Sequence, residues 1–122
     1  MAFKLRNFTH YMRALVLERS ISLIQDDKVK VIEHTPEHAH FHVQNQANDY
    51  YRVELRLHED ELSFSHCECP YRGVGLCKHT GAAIIHLLKE DNFKVEDIQK
   101  DEFIYDDADV LDVLVDAFKD AG

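Results

Sequence analysis

The stretch HCECPYRGVGLCKHTGAAIIHLL, residues 66–88, holds all three cysteines of the chain. Cys67-Glu-Cys69 is followed by seven residues and then Cys77-Lys-His79, so four soft or borderline ligands fall within thirteen positions. That number and mixture are what a tetrahedral zinc ion takes. An odd cysteine count rules out a complete internal disulfide framework. Reduced cysteines grouped with histidine in an intracellular protein more often bind metal or do chemistry. The plain alternative is three thiols buried for packing beside an incidental histidine.

The two pairs sit differently on the backbone. Residues two apart on a strand point the same way, so Cys67 and Cys69 can present both sulfurs from a strand end. On a helix, residues two apart diverge, so Cys77 and His79 can share a metal only at a helix entrance. Pro70, Gly73 and Gly75 in PYRGVGL suit a tight reversal between them. A helix N-terminus also favours thiolates electrostatically. The spacing therefore predicts a strand–loop–helix metal site. One conflict stands out: in a regular strand, Cys67 and Cys69 face away from Leu62 and Phe64. A bulge or twist near Ser65–His66 would re-aim them.

Outward from this stretch, the middle of the chain alternates with period two. KVKVIEH (28–34), HAHFHVQ (38–44), YYRVELRLH (50–58) and ELSFSHC (61–67) read as four strands of an antiparallel meander. Tyr51, Val53, Leu55 and Leu57 face inward on the third, and Leu62 and Phe64 on the fourth. Pro36 and the QNQAND run punctuate them. Upstream, Phe8, Tyr11, Met12, Leu15 and Val16 have helical spacing, with Asn7 as N-cap. ISLIQDDKV fits either a helix extension or a strand start. Downstream, KHTGAAIIHLLKED reads as a helix with Ala83, Ile84, Leu87 and Leu88 as its apolar stripe. Gly81 there costs helix propensity, which points to a close packing contact or a fraying first turn. Val110, Leu111, Leu114, Val115 and Phe118 suggest an acidic helix at 107–119, its Asp-rich start suited to the helix dipole.

Charge is unevenly placed. Residues 1–89 hold eleven basic and eleven acidic residues; residues 90–122 hold three and twelve, which is the whole net charge of −9. The body lacks a basic footprint for nucleic acid, and the tail would repel phosphate. The 122 residues suit one modest domain, and no run approaches eighteen apolar residues. The N-terminal residues lack the form of a signal peptide, so a reducing, cytoplasmic setting is expected.

Other residues have ordinary readings beside functional ones. His38, His40 and His42 form a row on one strand face; a solvated amphipathic face explains it, and a second metal is the alternative. His66 is a substitute-ligand candidate, His86 a packed or rim histidine. Arg52, Arg56 and Arg72 could make a small basic face or simply be solvated charges. A phosphate loop, H-E-x-x-H and G-x-S-x-G are absent. Four ligands close a metal shell and leave no position for a reactive water, which favours a structural over a catalytic metal. A cysteine nucleophile paired with His79 or His86 is the thiol-enzyme alternative.

CECPY…GLCKHTGAAIIHLL, preceded by YRVELRL…ELSFSH, resembles the SWIM zinc finger, whose pattern is C-x-C, a variable loop, then C-x-H. Cys67, Cys69, Pro70, Tyr71, Cys77, Lys78, His79, Ala82 and Ala83 match the family pattern over about residues 50–90. Upstream, Arg19-Ser20 stands where bacterial members usually have Arg-Gly. The resemblance implies a β-β-α module with structural zinc on Cys67, Cys69, Cys77 and His79. Such modules occur in bacterial Swi/Snf-type helicases, ahead of the motor, and in transposases and ubiquitin ligases, binding DNA or protein.

The expectation is thus an α+β chain. It has an N-terminal helix, a four-stranded antiparallel meander, a zinc site joining the last hairpin to a helix, and an acidic C-terminal helix. The body would span 1–91 and an acidic tail or linker 92–122. The chain would be a non-enzymatic interaction module, the N-terminal region of a helicase, contacting a protein partner or the remainder of its own polypeptide. A free-standing DNA-binding member and a small zinc or thiol enzyme are the alternatives. DNA is disfavoured by the acidic tail, and no membrane association is expected.

Overall fold

The computed structural model describes residues 2–71, 73–91 and 93–94. Within them the fold is α+β. Strands β1 (Phe3–Lys4), β2 (Val29–Thr35), β3 (His38–Gln44), β4 (Tyr50–His58) and β5 (Glu61–Cys67) form one antiparallel sheet in the order β1-β5-β4-β3-β2. The four expected strands lie within a residue or two of their predicted ends. The fifth, β1, pairs Phe3 with Leu62 and Lys4 with Glu61. Two residues are too few to show an alternation, so nothing in the sequence pattern marks it.

Three turn residues adopt a left-handed backbone, two of them the Asp and Asn types that tolerate it best. Asp27, Asn48 and Glu59 have φ of 56°, 60° and 56°. Asn45 organises the β3–β4 loop by accepting from the amides of Ala47 (2.9 Å) and Asp49 (3.1 Å) through Oδ1.

The N-terminal segment differs from expectation. Leu5–Tyr11 is a 3₁₀ helix, and α1 starts only at Ala14 and runs to Gln25. Asn7 lies inside the 3₁₀ segment and is not an N-cap; Arg13 holds that position, without a side-chain cap. The ambiguous ISLIQDDKV divides between the end of α1, a turn at Asp26–Asp27, and β2. Of the expected stripe, Phe8, Met12 and Val16 are buried and Tyr11 and Leu15 half-buried; Leu17 and Ile21, outside that stripe, are buried as well.

Helix α2 (Lys78–Glu90) lies between the sheet and α1. Residues 79–85 are all buried, as is expected of a helix covered on both sides. It packs on Ala39, Phe41, Val43, Val53, Leu55 and Leu62 of the inner sheet face within one core. Gly81 permits the approach of α1. A Cβ built there meets Met12 Cε and Ser20 Oγ, each at 2.5 Å. Ser20 Oγ donates to Lys78 O (2.8 Å), tying α1 to the first turn of α2. The close-packing reading of Gly81 therefore holds.

The facing conflict in β5 is settled by a bulge. Leu57 pairs with Leu62, but Arg56 pairs with Phe64, so Ser63 is an extra residue in the ladder. Everything after it changes face. Phe64, expected inward, is 46% exposed, with the Arg56 guanidinium 5.3 Å from its ring centroid. The bulge lies two residues before the position inferred from sequence. The 107–119 helix, and the tail at 92–122 apart from residues 93–94, fall outside the described residues.

Candidate metal centre

Cys67 ends β5 opposite Val53, a fully buried inner-face residue, so the Ser63 bulge turns its sulfur toward the helices. Cys69 follows just beyond the strand, where Glu68 N donates to Arg52 O (3.3 Å) and prolongs the β4 contact. The returning loop is closed by Tyr71 OH donating to Val74 O (3.0 Å) and by Gly75 at φ 85°, a conformation suited to glycine. Leu76 N then donates to Tyr11 O (2.9 Å), anchoring the loop to the N-terminal segment.

Cys77 is the N-cap of α2, with extended backbone, and its sulfur accepts from Thr80 N (3.3 Å). Its Sγ also lies 3.2 Å from Thr80 Oγ1. His79 is the second residue of the helix, 5% exposed, its ring edge-on to Tyr51 at 4.8 Å. The helix-entrance placement required by the C-x-H spacing is therefore present.

One ligand atom from each of Cys67, Cys69, Cys77 and His79 lies within 4.8 Å of the others. Ligands around a tetrahedral zinc sit roughly 3.5–3.8 Å apart, so modest side-chain rotations close the shell. Cys77 and His79 are buried, while Cys67 and Cys69 are half-buried. His79 Nδ1 is buried without a hydrogen-bond partner, which is costly for a polar atom in a core. An imidazole with an orphaned nitrogen, grouped with three thiols, fits a site built for a cation.

The thiols perturb one another strongly. Side-chain interactions with Cys67 and Cys69, outweighing the cost of burial, and further ones with His79 and Thr80, hold Cys77 far below the ordinary thiol range. Cys67 is pushed far up, chiefly by its bonds with Cys69 and Cys77 and then by burial. Cys69 is also raised: the thiol of Cys67 acts on it most strongly and lowers it, but Cys77 and burial outweigh that effect. Three thiols this close thus favour one thiolate, at Cys77; ionising all three needs a compensating positive charge.

Other candidates fall elsewhere. His66 points to the outer sheet face, in register with Glu54, and is not brought to the cysteines. His86 is a rim residue, half-buried against Phe41 with ring centroids 5.8 Å apart and Nε2 3.8 Å from Glu90. Arg52 and Arg56 lie on the outer face, and Arg72 is outside the described residues. The histidine row of β3 also faces outward, where Glu54 joins His38 and His40. Glu54 was not singled out by sequence, since only the strand register places it opposite His40.

No family model, curated protein or solved structure gives a significant match to this chain. Among the described residues, no helix is long and apolar enough to cross a membrane.

Proposed function

We propose that this chain is a SWIM-type zinc-binding interaction module, the N-terminal region of a Swi/Snf-type helicase acting in the cytoplasm. Cys67, Cys69, Cys77 and His79 would hold one zinc ion. The observation that carries this reading is the convergence of these four residues from a strand end and a helix entrance, with His79 Nδ1 buried and unpartnered. Bound zinc would supply the positive charge that lets all three thiolates coexist.

The residues of the chain do the rest. The Ser63 bulge aims Cys67, Thr80 supports Cys77, and Tyr51 packs the ring of His79. Fixing these groups joins the β4–β5 hairpin to the first turn of the central helix, so ligation stabilises the fold. Four protein ligands leave no position for a reacting water, which supports a structural role and no enzymatic activity in this chain. The balanced charge of residues 1–89 favours a protein surface, including the rest of the same polypeptide, over nucleic acid.

Metal analysis with thiol titration tests the proposal. One tightly held zinc with no reactive thiol is expected. A metal-free protein with a reactive thiolate would overturn it in favour of a thiol enzyme.

A further inference from the structure

The face of the sheet turned away from the helices carries a second group of ligands. His38 and His40 are two apart on β3, so they project from the same face. Glu54 lies directly opposite His40 on β4. The Glu54 carboxylate stands between the two imidazoles, with Oε1 3.1 Å from His38 Nε2 and Oε2 3.8 Å from His40 Nε2. One ligand atom from each of the three lies within 4.8 Å of the others. Their side chains are only 26–28% exposed, so each is partly held by its neighbours.

We propose that His38, His40 and Glu54 form a second site, for an exchangeable divalent transition-metal ion. Two imidazoles and a carboxylate suit zinc, nickel or copper better than calcium or magnesium. Three protein ligands on an open face leave coordination positions to water, unlike the closed Cys/His group. On binding, the cation replaces the proton shared between His38 Nε2 and Glu54. The orientation of His38 supports this use. Its other nitrogen, Nδ1, faces Glu33 Oε1 at 4.0 Å, so its Nε2 is the nitrogen turned inward to the group. Metal-bound histidines commonly hydrogen-bond a carboxylate through the other nitrogen, a bond Glu33 would make by closing in from 4.0 Å.

Arg56 is the competing cation, with Nε 3.7 Å from Glu54 Oε1. It is 65% exposed and can swing into solvent when metal enters. His42 lies further along the row and is not in the group; its ring stacks on Tyr50 at 3.9 Å.

The test is equilibrium dialysis of the full chain against zinc, comparing wild type with His38→Gln/His40→Gln, Glu54→Gln and His42→Gln. All four proteins keep the cysteine group, so the second site is read as a difference, whatever the cysteines bind. Wild type and His42→Gln are expected to hold one more zinc per chain than the double variant. Glu54→Gln should bind that ion about tenfold more weakly or worse. Cobalt added to the zinc-loaded protein should enter the site without thiolate charge-transfer bands. Equal zinc content and affinity in wild type and double variant would overturn the proposal, as would equal loss in His42→Gln. Should the double variant fail to fold, Glu54→Gln alone decides: unchanged affinity there refutes the site.

Discussion

Cys67 stands opposite Val53 on the helix-facing side of the sheet only because Ser63 is an extra residue in β5. Deleting Ser63 restores a regular ladder, which forces a choice. Either Leu62 leaves the core or Cys67 turns to the outer face with His66. Deletion of Ser63 is therefore expected to abolish stoichiometric zinc retention and lower the melting temperature. Metal content after gel filtration and a thermal melt are the measurements. A variant that keeps its zinc and its stability would show that the bulge does not aim the ligand.

Cys77 has two roles, as N-cap of α2 and as the thiol that most favours ionisation. Cys77→Ser preserves a capping oxygen but weakens metal ligation. Even a loss of about 2 kcal/mol would lower the melting temperature by roughly 10 °C in a domain of this size. A fall of that order or larger is expected for Cys77→Ser and Cys69→Ser, and after complete chelation of the wild type. Unchanged melting on chelation would remove the structural-zinc reading.

Gly81→Ala offers a contest between propensity and packing. Alanine favours helix by roughly 1 kcal/mol. Its methyl, however, meets Met12 and Ser20, and Ser20 is held by its bond to Lys78 O. Met12 can yield, but α1 must shift for Ser20. Net destabilisation of about 1–2 kcal/mol is expected from the denaturant midpoint. A stabilised variant would mean the two helices separate at little cost.

Glu54 is held below the usual carboxylate range first by its hydrogen bond with His38, with the charges of His38, His40 and Arg56 adding to it against desolvation. A carboxyl lowered in the folded state stabilises above its unfolded value, and that contribution disappears as pH falls through the folded one. In buffer without added metal, the Glu54 carboxyl titration followed by NMR should move up toward its ordinary value in His38→Gln. No movement would assign the depression to another neighbour.

Binding to duplex or single-stranded DNA should be weak at physiological salt, because the basic and acidic residues of 1–89 balance and the excess of 90–122 is acidic. Titration across a salt series checks this. Tight binding with a steep salt slope would redirect the search for a partner to nucleic acid.

The fold was legible where periodicity had room to act. Four strands and α2 follow from alternation and helical spacing, and the members of the Cys/His cluster from cysteine arithmetic. The errors are local and physical. Phe64 faces outward because a one-residue bulge reverses facing without changing composition. Asn7 is a good capping residue in a segment that becomes 3₁₀, and β1 is too short to show a pattern. The His38–His40–Glu54 group needed the register of β3 against β4, which comes from the hairpin and not from either strand alone.

Strand β2 carries a bulge of its own: Val31 pairs with Phe41 and Glu33 with His40, leaving Ile32 outside the ladder and 47% exposed. Among the described residues β2 ends the sheet opposite β1 and is paired on one side only, so its outer edge is where a strand of another molecule could add. The irregularity spoils that template halfway along, and the exposed Glu33 beside it adds a charge. A fold that leaves an isoleucine in solvent at its sheet margin is thereby guarded against growing into a fibril through that margin.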